Sequence, residues 1–323
     1  MLQLEQLAEH KIPKANEIFL TDSYIYLLSE EPSSEFLAKK LDFEIEGREV
    51  ITLSSEDPGD LGPGISLGNR LFVPNGSRRL YIQEGIETLL QIHVRDLMKD
   101  HGFEFYEMGT DGTFLYLEIN DIIKDSPIMV TTDLDLNIIN KFRTEYCDFL
   151  DGNGRFFMTN TSNQTDVYFQ GQKIDDFVNE KNPSFRELLG CAISSQSEEI
   201  SEYTKLEAYN GIKPYFPIES FTDGKNYYQL IQNGEIWMIT SKKNDYLVED
   251  GAPLPDEVNG FAIHNGTNAF LAFNGEYKLI KDGKILSKGL TNFDNDKIVD
   301  SVYNQDLILI LEEDKIISYQ VKE

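Results

Sequence analysis

The chain has 323 residues and carries 29 Lys and Arg against 56 Asp and Glu, a net charge of −27. A surface this acidic repels nucleic acid and anionic lipid, and attracts basic proteins or cations. Hydrophobic residues make up 40% of the chain, enough for a substantial core, so global disorder is excluded.

The two cysteines, Cys147 and Cys191, are far apart and form no CxxC pair. This spacing argues against a zinc site and for free thiols in a reducing compartment. The N-terminus has no basic region followed by an apolar core, and no apolar run reaches the roughly 18 residues needed to span a bilayer. A cytoplasmic location, with no membrane contact, is the expectation.

Leu2-Gln3-Leu4 alternates apolar and polar residues, as a half-buried strand does. It is expected to supply an outer strand to the last unit of the chain, although Leu4 and Leu7 are also helix-spaced. Residues 24–28 form the first long apolar strand. A Gly- and Pro-rich loop follows at 54–64, and strands are predicted at 70–73 and 79–82. Residues 89–101 fit either a helix or a last strand plus loop.

Further strand pairs are predicted at 114–117 with 128–132 and at 155–158 with 165–169. Others fall at 227–230 with 236–239, 269–273 with 277–280, and 307–311 with 315–321. Outer strands are read at 174–177, 245–248 and 284–287. Most of the first strands start about 38 to 46 residues apart, the length of a four-stranded repeat. One interval, from Arg155 to Tyr227, is much longer. It holds the best helix pattern, Asn182-Pro183 through Gly190, with a capping Asn, Pro at the first helical position and Gly past the end.

Twelve Asn-Gly or Asp-Gly pairs punctuate the chain, including Asn75-Gly76, Asp111-Gly112 and Asp282-Gly283. Such pairs suit the positive φ values of type I′ hairpin turns. The repeat length, these hairpins and the strand pattern together resemble the β-propeller class over nearly the whole chain. The Trp-Asp and Gly-His pairs of WD repeats, the double glycine of kelch repeats and the S-x-D-x-G-x-x-W box of sialidases are missing. No family's catalytic residues therefore carry over. The expected fold is one all-β domain over 1–323, a seven-bladed propeller of four-stranded antiparallel blades. A short helix-containing insertion occupies 178–215, and a degenerate eighth blade there is the alternative.

Tests for chemistry fail one by one. Asp133-Leu134-Asp135-Leu136-Asn137 opens like a calcium loop, but Ile138 and Thr144 occupy the positions that need Gly and an acid. Gly64-Ile65-Ser66-Leu67-Gly68 matches a nucleophile elbow by letter, yet a strand rather than a helix follows it. The four histidines, His10, His93, His101 and His264, show no metal spacing. No cofactor is implied.

The expected function is non-catalytic binding of a basic protein partner by a monomeric scaffold of inhibitor or immunity type. The contact is expected at Glu198, Glu199 and Glu202, which sit where the repeat is interrupted. The alternatives are a hydrolase-like enzyme with a close carboxylate pair at the propeller axis and a structural part of a phage or secretion assembly.

Overall fold

Short apolar runs rich in β-branched and aromatic residues favour a pleated surface. In a computed structural model these runs form strands that group into seven four-stranded sheets among the described residues. The structure describes residues 3–322 apart from loop segments, the longest being 179–202 and 240–259, and gives side chains outside 144–260. The chain divides into two compact units.

The larger unit comprises Leu4–Arg155 and Lys297–Val321. It takes in β1 (Gln3–Lys11) and four sheets. One contains β2 (Ala15–Leu20), β3 (Tyr24–Ser29), β4 (Leu37–Ile45) and β5 (Arg48–Ser54). The next is a meander of β6 (Ile65–Leu67), β7 (Arg70–Asn75), β8 (Arg79–Glu84) and β9 (Glu87–His93), followed by helix α1 (Val94–Met98). A third meander joins β10 (Phe103–Thr110), β11 (Leu115–Asp121), β12 (Ser126–Thr132) and β13 (Ile138–Arg143).

The other unit holds most of the remaining strands. β14 (Tyr146–Phe149) falls in the larger unit, while β15 (Phe156–Asn160), β16 (Gln164–Phe169) and β17 (Gln172–Val178) pair in sequence in this one. A second sheet contains β18 (Tyr203–Glu207), β19 (Pro217–Thr222), β20 (Tyr227–Ile231) and β21 (Ile236–Ile239) in the order β18-β21-β20-β19. A third is the meander of β22 (Gly260–His264), β23 (Ala269–Phe273), β24 (Glu276–Lys281) and β25 (Lys284–Leu290).

The last sheet, back in the larger unit, is β26 (Ile298–Asn304), β27 (Leu307–Glu312) and β28 (Lys315–Lys322). The N-terminal β1 takes its outer position, in the order β1-β28-β27-β26. The expected role of the N-terminal segment is thus met by a strand. The Ile12 amide donates to the Asp314 carbonyl at 2.9 Å, and the Ser318 hydroxyl donates to the Ala8 carbonyl at 3.4 Å.

Each predicted first strand falls in β3, β7, β11, β15, β20, β23 or β27. From β7 onward, each pairs antiparallel with its predicted second strand. Several details differ from expectation. In the first sheet β3 pairs parallel with β5, and β4 is displaced to the edge. Burial explains the exchange. Val50, Ile51 and Leu53 of β5 are fully buried, whereas β4 alternates and exposes Lys39 and Lys40.

The type I′ geometry appears at Glu46-Gly47, where both φ values are positive (48° and 73°). At Asn75-Gly76 the expected turn gives way to an extended Asn75 and a 3-10 turn over Gly76–Arg78. Residues 89–101 contain both predicted elements, the end of β9 and then α1. The His93 ring accepts the Arg95 amide at its N-terminus, and Lys99 closes it in the left-handed region. Within 178–215, Tyr203–Glu207 joins a sheet as β18. The predicted helix at 182–190 and strand at 245–248 lie outside the described residues.

Consecutive sheets of the larger unit are held by three apolar layers. Ile25, Leu27 and Val50 meet Leu307, Leu309 and Ile316. On the opposite face of the same sheet, Tyr26, Leu28 and Ile51 meet Leu71 and Val73. Phe72 and Ile82 then meet Leu115, Leu117 and Val130, with Val94 and Leu97 of α1 in the same layer.

Deleting residues 1–11 removes β1 and uncovers the edge of β28. At roughly 2–4 °C per kcal/mol for a domain of this size, thermal unfolding should show a Tm lowered by about 5–10 °C. Size-exclusion chromatography should show association through the bared strand. An unchanged Tm would refute the role given to β1.

Candidate functional site

Four strands lead their sheets and line up within the larger unit: β26 beside β2, β2 beside β6, and β6 beside β10. Each is a sheet edge, so half of its backbone amides have no ladder partner. Side chains from the neighbouring lead strand supply partners instead. The Ile18 amide of β2 donates to Asp300 Oδ2 of β26 at 2.8 Å, and the Ser301 amide donates to Asp300 Oδ1 at 2.7 Å. A carboxylate on β26 therefore holds the backbone of β2.

Local backbone geometry places these acids. β2 carries a bulge between Ala15 and Glu17, and β26 carries one between Ile298 and Asp300. A bulge re-aims the residue that follows it. The pattern recurs with Glu107 on β10 and with Glu219 on β19 of the other unit, each directly after a bulge in its lead strand. Gly64 permits the approach of β6. A Cβ there would stand 3.0 Å from the Phe72 carbonyl oxygen and 3.1 Å from the Phe19 ring.

Glu17 and Asp300 are half-buried, and this governs their charge. Burial, reinforced by the nearby Asp300 charge and opposed by the Gly64 amide, pushes the Glu17 carboxyl up to about 7 from its ordinary 4.5. Burial pushes Asp300 up to about 6 from 3.8, against the two amides it accepts. Asp121 shows the opposite case. Its 2.7 Å ion pair with Arg143 holds it below the usual carboxylate range.

This pair was missed by sequence reading, because 283 positions separate the two acids. The available signal was local: an acid set among apolar residues near the start of a strand, as in Asn16-Glu17-Ile18 and Val299-Asp300-Ser301.

The residues singled out from sequence are not brought to this site. Glu198, Glu199 and Glu202 lie outside the described residues. Asp133 accepts the Asp135 and Asn137 amides and the Asn137 side chain, an Asx turn rather than a calcium loop. Ser66 lies within β6 and donates to the Leu20 carbonyl at 3.2 Å, which removes it from a nucleophile's role. His10 stacks on Phe43 with ring centroids 4.3 Å apart. Among the described residues, no group of three or more His, Cys, Asp or Glu is arranged to hold a metal ion, and no helix is long and apolar enough to cross a membrane.

No protein-family model matches the chain, and no curated protein matches it. Solved structures do. BBS1N in complex with ARL6DN aligns with a TM-score of 0.55 and 8% identity, over 99% of this chain and 97% of that one. PorZ of Porphyromonas gingivalis, described as an essential bacterial surface component of the type-IX secretion system, aligns with a TM-score of 0.50 and 9% identity over 99% of this chain. The present chain spans 39% of the PorZ chain's length. The WD40 beta propeller domain of Doa1 aligns at 0.45, with 9% identity, over 99% of this chain and 98% of that one. With the four-stranded sheets, the likeness to BBS1N and PorZ places the fold in the β-propeller class. At these identities the likeness concerns fold alone.

Asp300→Ala removes the acceptor of the Ile18 amide and should cost about 1–3 kcal/mol in urea unfolding. Asp300→Asn retains one acceptor oxygen and should cost less. Equal losses in the two variants would mean that the hydrogen bond to β2 is not what Asp300 contributes.

Proposed function

We propose that this propeller has seven blades and works as a non-catalytic, monomeric, acidic scaffold that binds a basic protein partner, in the manner of an inhibitor or immunity protein in the cytoplasm. The observation that carries the reading is the net charge of −27 borne by a fold of stacked, cross-packed sheets. A rigid surface of one sign attracts an oppositely charged protein over a distance of about 10 Å at 0.1 M salt and speeds its capture. Seven four-stranded sheets among the described residues support the blade count. The reading assigns the contact to Glu198, Glu199 and Glu202.

The hydrolase-like alternative draws on Glu17 and Asp300, two carboxyl groups on neighbouring lead strands, one of them holding its proton near neutral pH. General acid–base chemistry needs carboxyl oxygens open to a substrate. Both oxygens of Asp300 accept backbone amides, which favours the binding reading.

Immobilised protein exposed to lysate of its native host should retain one basic protein, less of it as salt rises. The purified pair should form a 1:1 complex by calorimetry. Reversing Glu198, Glu199 and Glu202 to Lys should slow association roughly tenfold with little change in dissociation, as expected when steering charges are altered. Retention of no basic protein at low salt would overturn the binding reading. Unchanged association after charge reversal would remove these three residues from the contact.

A further inference from the structure

We propose that the open edge of β9 is a docking site for an extended segment of a basic protein. The segment adds to the β6–β9 sheet as a fifth, antiparallel strand, with a Lys or Arg against Glu87. Each sheet ends, away from its lead strand, on an edge where half the backbone groups have no ladder partner. In the larger unit these edges are β1, β4, β9 and β13, and β25 holds the same place in the other unit. A Lys or Arg on an edge strand discourages pairing with another chain. β1 carries Lys11, β4 carries Lys39 and Lys40, β13 carries Lys141 and Arg143, and β25 carries Lys284 and Lys288. β9, Glu87-Thr88-Leu89-Leu90-Gln91-Ile92-His93, carries neither residue type. Its residues 87–91 are all exposed, Leu89 and Leu90 by 45% and 40%. A bulge at Leu89 does not set it apart, because β13 and β25 have the same irregularity at Ile139 and Leu286.

This edge is held ready for a partner strand. The Gln83 side chain, fully buried, donates to the Gly85 carbonyl at 3.0 Å and accepts the Thr88 hydroxyl at 2.8 Å. The Gly85 amide donates to the Tyr26 hydroxyl at 2.8 Å, which fixes the turn into β9. At the far end the His93 ring accepts the Arg95 amide, and α1 sets Val94 and Leu97 into the apolar layer. A strand anchored at both ends has little freedom left to lose on pairing.

Charge selects the occupant. Glu84 of β8 stands directly across from Glu87, and like charges so placed repel. The chain answers the same arrangement at Glu44 and Glu49 with its own Lys40, which reaches them at 3.5 Å and 2.7 Å. At the β9 edge Arg70 reaches Glu84 at 3.6 Å, and no base among the described residues pairs with Glu87. The place of that base is open to an incoming strand. Arg79 stands across from His93, so the other end of the edge favours an uncharged residue. A second copy of this chain would bring another net charge of −27 against the first. That the occupant belongs to a basic protein rests on the binding reading above. That the edge is open to pairing does not.

The probe is a capped peptide matching β9 in length, Thr-Val-Thr-Val-Thr-Lys-Lys, titrated into the full chain and followed by hydrogen exchange with mass spectrometry. It should slow exchange within 87–93 and leave 37–45 and 138–143 level. The same peptide ending in Glu-Glu should bind roughly tenfold more weakly, because it sets like charges together. Glu87→Gln should weaken the Lys-Lys peptide about twofold to fivefold, as for an exposed ion pair. Leu89→Lys gives β9 the guard that the other edges have, and should weaken it roughly tenfold. Should that variant fold poorly, Gln91→Lys at another exposed position replaces it. No protection at 87–93, equal protection at the guarded edges, or unchanged binding after Leu89→Lys would overturn the docking site. Equal binding of the two peptides would overturn the basic occupant. Protection of 87–93 that rises with protein concentration alone would assign the edge to a second copy and overturn the proposal. None of these readouts uses host lysate, so the docking site and the existence of a basic partner fail separately.

Discussion

β3 and β7, central strands of the larger unit, are apolar on both faces, and both faces must be covered. Ile25 and Leu27 point to one side of their sheet while Tyr26 and Leu28 point to the other, and all four are buried. β7 repeats the arrangement, with Phe72 on one face and Leu71 and Val73 on the other. Burying one such side chain contributes about 1.5–3 kcal/mol, and an isolated sheet of this size could cover neither face. The sheets must therefore stack, each serving as solvent shield for the next.

Stacking sheets face to face brings their leading edges together and leaves edge amides without ladder partners. The chain meets this with bulges that turn an acid toward the neighbouring backbone. The remedy carries an electrostatic tension, because a carboxylate drawn out of water beside another carboxylate holds its proton more tightly. A chain with 56 acidic residues thus uses them in two ways. A few, such as Glu17 and Asp300, are structural and half-buried. The many exposed ones set the long-range field on which partner capture rests in the proposed function.

Strand positions were legible because they depend on local composition. Residues 70–73, 269–273 and 307–311 are apolar runs that no helix pattern explains, and all became central strands. The topology of the first sheet was not legible. Which of 37–45 and 48–54 lies inside depends on a comparison of burial between two plausible strands, and the more apolar β5 won. Turn type was only half legible. Positive φ appeared at Gly76 as expected, but Asn75 stayed extended because a 3-10 turn carries the chain into β8. The Glu17–Asp300 pair was invisible for a different reason. It arises from two ends of the sequence meeting at one seam, and no local spacing encodes it. The G-x-S-x-G and D-x-D-x-N matches misled by letter alone. Backbone context decided both, a strand through Ser66 and an Asx turn at Asp133.

The central claim is that neighbouring sheets stabilise each other through shared apolar layers. Leu27→Ala opens the layer between the β2–β5 sheet and the β26–β28 sheet, and a core truncation of this kind typically costs about 2–5 kcal/mol. Residue-resolved hydrogen exchange on this variant gives the most direct measurement. Mutual support predicts that protection falls in β27 and β28 by as much as in β3, although the substitution lies in the other sheet. Loss confined to β2–β5, with β27 and β28 unchanged, would contradict it.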